Sequence, residues 1–289
     1  MTTTEWQSAG DYFNYKGHRI FYRKGGSGPT LLLIHGFPTA SWDWHLVFDR
    51  LCAGFTVYAL DMIGFGFSDK PKSYGYSLTD QADLHEVFAE KTGITTAHIL
   101  AHDYGDTVAQ EMLARYIMRR GQSVRGLNLA SVTLLNGGIL QGGYQPRFIQ
   151  KFLASPAGPW FYPFIGKGSL RRTFRNIFGS NKPTEREIDE FWSLITYNNG
   201  RRVIPSVIRY LHERKRKRKR WESALRDSPV PLLLINGIED PISGQNIVDK
   251  YRETVNNPRI VTLPGVGHYP QTEAPSAVLS AFLTFVTEI

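Results

Sequence analysis

AHILAHDYG, residues Ala97 to Gly105, is the stretch whose reading decides the fold. A short apolar run ends in His102-Asp103-Tyr104-Gly105, and Val108, Ala109, Met112, Leu113 and Tyr116 then recur at helical spacing. A strand, a sharp turn and a helix thus follow one another, with Asp103 at the apex. Turns of this kind carry the pattern small-x-nucleophile-x-small, because a strained apex leaves no room for side chains two residues away; Ala101 and Gly105 are those residues. An apical carboxylate restricts the chemistry. On an acyl group it forms an anhydride and gains little, whereas on a saturated carbon bearing a leaving group it forms an ester that water cleaves. That points to carbon-halogen bonds or epoxides. The same Asp also fits a helix N-cap.

Outward from this stretch, strand and helix alternate. Tyr12 to Tyr15 and Ile20 to Arg23 flank Lys16-Gly17-His18 as a hairpin, and Thr30 to Ile34 and Thr56 to Leu60 are apolar runs of the sort buried on both faces. Ser41 to Leu51 reads as helical. Ser77-Leu78-Thr79-Asp80 opens a further helix that stops at Gly93, and Leu127 to Leu135 is another strand. From Gly137 to about Trp221 the composition shifts to aromatic, proline and basic residues, with helical fragments such as Glu185 to Ile195 and Val203 to Leu211. Alternation resumes at Leu232 to Ile235 and continues through Asn246 to Val255, Ile260 to Leu263 and Pro275 to Val286. The expected fold is α/β, a mostly parallel sheet with helices on both faces and an inserted helical cap. Its parts are residues 1–136 and 223–289 as core and 137–222 as cap.

Sheets of this type place their sites at the carboxyl ends of strands, and Asp103, Asp240 and His268 each follow one. His268 lies in Gly265-Val266-Gly267-His268-Tyr269-Pro270, a loop that can carry an imidazole over the sheet edge as catalytic base. Asp240, in Gly237-Ile238-Glu239-Asp240-Pro241, is placed to hold that histidine's tautomer. Glu239 is its neighbouring competitor, and Asn136, after another strand, has no acid to offer. Two backbone amides, of Phe37 in the His35-Gly36-Phe37-Pro38 loop and of Tyr104, are the expected oxyanion hole. His35 and His102 flank these residues as supports. Asp106 has no assigned role beyond a charge near a helix terminus.

The 289 residues are 42% hydrophobic, enough to bury a large core. No apolar run approaches the length of a membrane span, and MTTTEWQSAG lacks a basic segment followed by an apolar one, so a cytoplasmic monomer or homodimer is expected. The single Cys52 has no disulfide partner within the chain and is expected in the core. The net charge of +8 is concentrated in RKRKRKR, Arg214 to Arg220, which is expected to be a solvated face of the cap with no part in chemistry rather than a nucleic-acid site. No cofactor or metal is expected; the partners are a small hydrophobic substrate and water.

Together the nucleophile, acid and histidine order, HGFPTASWDW, DMIGFGFSDKP, HDYGDTVAQE, YNNGRRVIPSVIRYLHERKRKRKRW and GHYPQTEAP resemble the α/β-hydrolase superfamily in its epoxide hydrolase and haloalkane dehalogenase branch. The likeness is greatest to the mesoderm-specific-transcript, epoxide-hydrolase-like group. The resemblance implies a cofactor-free hydrolase with a covalent alkyl-enzyme intermediate. Dehalogenases of that branch hold the halide with a Trp after the nucleophile, and many add an Asn after the His-Gly pair; Tyr104 and Phe37 stand there instead. The HGFP loop, with Pro38 expected after a cis bond, is the epoxide hydrolase form. That activity implies two lid tyrosines as proton donors. Tyr210 resembles the second in position, and Tyr144, Tyr162 and Tyr197 compete for the other role. Epoxide opening is therefore the expected function, with dehalogenation by the same triad as the alternative and a non-catalytic binding protein as a third reading.

Overall fold

The computed structural model describes residues 1–145, 148–155 and 157–289. Eight strands form one sheet in the order β1-β2-β4-β3-β5-β6-β7-β8: β1 Gly10–Tyr15, β2 His18–Gly25, β3 Thr30–Ile34, β4 Thr56–Leu60, β5 Thr96–His102, β6 Asn128–Leu135, β7 Leu232–Gly237 and β8 Ile260–Leu263. β1 and β2 pair antiparallel, β2 joins β4 antiparallel, and every later pairing is parallel. Leu31 to Ile34 and Leu232 to Ile235 are buried without interruption, as expected of strands covered on both faces. The register sets Ile34 beside Ala101 on one side and Leu60 on the other, so the carboxyl ends of β3, β4 and β5 finish level with one another.

The helices before the cap are α1 Thr3–Ser8, α2 Phe48–Cys52, α3 Leu78–Thr92 and α4 Tyr104–Gln122. α3 starts and stops where its caps direct: the Ser77 hydroxyl accepts from the Asp80 amide at 3.1 Å, and Gly93 takes the left-handed conformation at φ 72°. The segment 41–51 divides into a 3-10 turn, Ser41–Trp44, and α2, and Cys52 is half-buried. α1 has no counterpart in the sequence reading, because six residues are too few to show a period. A capping box between Thr2 and Glu5 starts it, and its fully buried Trp6 donates to Ser41 Oγ at 3.0 Å.

Between β6 and β7 lie α5 Phe148–Leu153, α6 Gly158–Phe161, α7 Lys167–Ile177, α8 Glu185–Thr196, α9 Ile204–Val207 and α10 Tyr210–Arg226; α11 Gln245–Thr254, α12 Pro270–Glu273 and α13 Pro275–Thr287 complete the chain. The fragment Val203 to Leu211 is not one helix. Asn198 and Asn199 break the backbone at positive φ, and Pro205 opens the short α9 before α10 begins. α10 continues to Arg226, so the sequence boundary at residue 222 falls inside it.

α10 also corrects the expectation of a wholly solvated basic run. Lys215, Arg216 and Lys219 are exposed, but Arg214 is buried and Arg220 reaches Glu111 at 2.8 Å. Lys217 pairs with Glu213 at 3.3 Å and Arg218 donates to Gln141 Oε1 at 2.6 Å. The helical period is the cause, since it turns Arg214 and then Trp221 onto the face that packs against α4. Among the described residues no helix is long and apolar enough to cross a membrane.

The turn into α4 depends on Gly105. A Cβ there would lie 2.4 Å from the Ile34 carbonyl oxygen and 2.7 Å from that of His35, both main-chain atoms of or just after the central strand β3. Gly105→Ala is expected to cost about 1–3 kcal/mol of stability by urea unfolding. Gly75→Ala, in open space, is the control that should unfold as the wild type does.

Candidate active site

Asp103 stands at the apex with φ 48° and ψ −105°, a conformation few side chains adopt. Its amide donates to the Leu135 carbonyl at 3.0 Å, which ties the apex to the end of β6. It does not act as a side-chain N-cap. Its Oδ2 instead accepts from the Phe37 amide at 3.1 Å across the mouth of the turn. The Phe37-Pro38 bond is cis. Gly36 lets the two loops meet, since a Cβ there would lie 2.6 Å from His102 Nδ1 and 3.1 Å from the Asp103 Cβ. Tyr104 opens α4, so its amide belongs to the first turn, whose N–H groups have no partner within the helix.

Two neutral histidines hold this floor. His35 Nδ1 donates to the Gly36 carbonyl at 2.8 Å, leaving Nε2 to accept from the Met62 amide at 3.1 Å. His102 Nε2 donates to the His268 carbonyl at 2.7 Å. Burial pushes both down to about 4.

His268 is 3% exposed, with Nδ1 donating to Asp240 Oδ2 at 2.7 Å and Nε2 lying 4.0 Å from Asp103 Oδ2. Burial opposes its charge, but the Asp240 charge and hydrogen bond, helped by Asp103, outweigh it and raise His268 to about 9. Asp240 is likewise penalised by burial, yet His268 beside it, with bonds from Ser243 and the Ile242 amide at 2.8 Å, keeps it below the ordinary carboxylate range. Asn136, at φ 46°, contributes through its amide: Nδ2 donates to Asp240 Oδ2 at 3.0 Å while Oδ1 accepts from the Gly237 amide at 2.8 Å. Glu239 meets the His268 loop through its main chain, its amide donating to the Val266 carbonyl at 3.0 Å, and among the described residues its side chain bonds none of these groups.

Three residues that sequence reasoning missed complete the site. Glu273 accepts from the amides of Gly267 and Tyr269, both at 2.9 Å, and from Gly179 of the cap at 2.7 Å, so it holds the loop carrying His268. Ser243 Oγ lies 2.7 Å from Asp240 Oδ2. Arg214 donates from Nε to Thr107 Oγ1 at 2.8 Å and from Nη2 to the Asp103 carbonyl at 3.1 Å, with Nη2 3.9 Å from Asp103 Oδ1. The GHYPQTEAP motif contained the first, but nothing local singled out Ser243 or Arg214. Asp106 is fully buried; burial, with Asp103 nearby, pushes its carboxyl well above the usual range, and its Oδ1 accepts from the Leu135 amide at 3.2 Å.

Of the lid tyrosines, Tyr210 alone comes to the elbow. It is 2% exposed and its ring packs on Phe37 and Tyr104, with centroids 5.8 and 4.9 Å away. Tyr144 lies against the Arg214 guanidinium, and Tyr162 borders a surface cleft with Trp160 and Arg201. Tyr197 is 39% exposed, packs on Phe67 and accepts from Gln7 Nε2 at 3.5 Å. A cavity of about 280 Å³ lies between cap and core, walled by residues such as Leu170, Phe174, Trp192, Ile195 and Ile204 and meeting the site at Phe37, Pro38 and His268. Among the described residues none of the four lid tyrosines is in its wall; Tyr210 adjoins it through Phe37, on which its ring packs.

A mostly parallel sheet, an elbow after its fifth strand and a histidine-carboxylate pair on the loops beside it define a hydrolase scaffold, and residues 29–275 match the family described as the alpha/beta hydrolase fold. The chain belongs to that family. It is 38% identical over 293 residues, spanning 97% of this chain and 87% of the relative, to the mesoderm-specific transcript protein of Mus musculus. Among solved structures it is similar to the haloalkane dehalogenase DbeA from Bradyrhizobium elkani USDA94, with a TM-score of 0.80 at 20% identity over 96% of this chain and 97% of the other. It is similar also to the epoxide hydrolase CorEH, with a TM-score of 0.78 at 20% identity over 96% and 98%. These two likenesses are of fold.

The raised His268 has a signature in stability. A histidine that gains proton affinity on folding stabilises the fold fully below its unfolded value, about 6.5, and that contribution is lost as pH rises through about 9. Thermal midpoints should therefore fall over this interval in the wild type. In His268→Gln the fall should be shallower, and equal slopes in the two proteins would count against the Asp240-His268 pairing as its origin.

Proposed function

We propose that this hydrolase opens small apolar epoxides through an ester on Asp103. The observation that carries the reading is the carboxylate at the elbow, with Oδ2 on the Phe37 amide and His268 Nε2 4.0 Å away. Because Oδ2 is occupied by the amide, Oδ1 is the oxygen free to attack a ring carbon. As the carbon-oxygen bond breaks, its electron pair goes to the ring oxygen, which takes the Tyr210 proton. The 4.0 Å gap exceeds a hydrogen bond and is within the span of a bridging water. Once the ester has formed, the imidazolium proton of His268 passes to the Tyr210 phenolate, and the neutral ring, its tautomer held by Asp240, removes a proton from that water as it attacks the ester carbonyl. The Phe37 and Tyr104 amides then stabilise the tetrahedral oxyanion by about 3 kcal/mol each. The departing diol oxygen takes the proton from His268. The second water proton, left on the Asp103 carboxyl, returns to His268, so the cycle closes as epoxide plus water to diol.

The cavity supports an apolar substrate, since its walls are overwhelmingly aliphatic and aromatic and its size is near the lower end of ordinary ligand pockets. Residues 137–222 act as the cap that supplies those walls. A second reading, halide displacement by the same triad, is favoured by one observation, namely that of the four lid tyrosines only Tyr210 packs on the elbow residues.

Two measurements test the reading. His268→Gln, incubated with styrene oxide, should gain the full mass of one epoxide on Asp103 and then stop, whereas a bromoalkane would leave the alkyl group alone. A folded variant that binds styrene oxide without gaining mass would leave direct water attack as the better account. Tyr210→Phe separates the two substrates: it should slow ester formation from the epoxide by about 10²-fold or more and leave bromide release from 1-bromobutane within a few-fold. Bromide release faster than diol formation in the wild type would favour the second reading.

A further inference from the structure

Arg214 is the one buried member of the basic run, and its surroundings are unlike those of its neighbours. Its guanidinium lies under the elbow, bonded through Nε to Thr107 Oγ1 and through Nη2 to the Asp103 carbonyl. The carbon of the guanidinium lies 4.8 Å from the centre of the Tyr210 ring and 5.6 Å from that of Tyr144. Its approach to Asp103 Oδ1, 3.9 Å, is close enough to balance a buried carboxylate but too far to occupy a lone pair. The neighbouring acids are otherwise engaged: Glu213 accepts from the Leu78 amide at 2.7 Å and from Thr79 Oγ1 at 2.6 Å, and Asp106 bonds the Leu135 amide.

We propose that Arg214 is a positioning residue for ester formation, holding the Asp103 main chain and setting a cation beside both the attacking oxygen and the ring of the proton donor. This rests on the reading of Asp103 as nucleophile. In the first step a carboxylate must stay ionised in a site where it is 5% exposed, with one oxygen unblocked, while Tyr210 becomes a phenolate. A cation 3.9 Å from the carboxylate and against the phenol ring favours both. In the second step the ester carries no charge for a cation to balance, and Arg214's one link to the hydrolytic groups is the Asp103 carbonyl, whose peptide unit carries the Tyr104 N–H. The inference therefore divides the two steps unequally: bond formation depends on the Arg214 charge beside Asp103 and Tyr210, whereas ester hydrolysis feels Arg214 only through that peptide.

The experiment follows each step separately with styrene oxide. Adduct formation is timed by intact mass in His268→Gln, alone and combined with Arg214→Gln, Arg214→Lys or Thr107→Val. Ester hydrolysis is timed in single turnovers of the corresponding proteins with His268 intact. Arg214→Gln should slow adduct formation by about 10²-fold while hydrolysis changes by less than about threefold. Arg214→Lys, which keeps the charge without the fork, and Thr107→Val, which removes only the Nε anchor, should each slow formation by about tenfold or less. If Arg214→Gln does not fold, the Lys and Val variants carry the same comparison, and unchanged formation in both overturns the proposal. Equal slowing of both steps also overturns it, in favour of a scaffold role. An adduct that forms in Arg214→Gln as fast as with Arg214 present overturns it while leaving the nucleophile reading intact. Absence of any adduct in His268→Gln alone overturns that reading and this proposal with it.

Discussion

Asp103 holds its main chain in a region of φ and ψ that costs roughly 1–3 kcal/mol for a residue with a side chain, and much of the surrounding packing can be understood as meeting that cost. The Leu135 carbonyl takes its amide, the Asp106 amide and Arg214 take its carbonyl, and the Phe37 amide takes its carboxylate. Each partner comes from a different segment of the chain. Gly36 and Gly105 are small because those segments must approach within contact of the apex, not because the turn itself needs flexibility at either position.

Around the apex the ionisable groups fall into two sets. His35, His102 and Asp106 are kept neutral by burial, whereas Asp103, Arg214, Asp240 and His268 form an alternation of opposite charges. On the proposed chemistry this alternation changes during turnover. Conversion of Asp103 to an ester removes one of the negative charges that hold the proton on His268, so the imidazole loses proton affinity just when it is needed as a base. The reaction would thus prepare its own second step.

The sheet, the elbow and the histidine loop were legible because they depend on local pattern: apolar runs of strand length, a small residue on either side of Asp103, and glycines before His268. β3, β4 and β8 begin and end where their apolar residues do. What the sequence withheld depends on distant contacts. RKRKRKR carries no mark by which Arg214 differs from Arg216, since only the helical phase of α10 against α4 buries one and exposes the other. Asn136 offers no acid, as expected, but its amide bridges Asp240 and Gly237, which only the pairing of β6 with β7 brings within reach. The lid tyrosines were equivalent in composition and distinct in three dimensions for the same reason. α1 was missed because its six residues owe their place to Ser41 and Glu190, far along the chain.

The loop bearing His268 is fastened to the cap as well as to the sheet. Its amide donates to the Ile177 carbonyl at 2.8 Å, the Ser180 amide donates to Gly265 at 2.7 Å, and Glu273 reaches from the core to Gly179. A Cβ on Gly267 would lie 2.2 Å from the Ile177 oxygen, so the two layers are in main-chain contact there. The inserted segment is therefore not interchangeable along its whole length. A foreign or shortened cap would have to keep residues 177–180 for the imidazole loop and the α10 face bearing Tyr210 and Arg214 for the elbow, whereas stretches remote from both contacts have room to diverge and to reshape what the cavity admits.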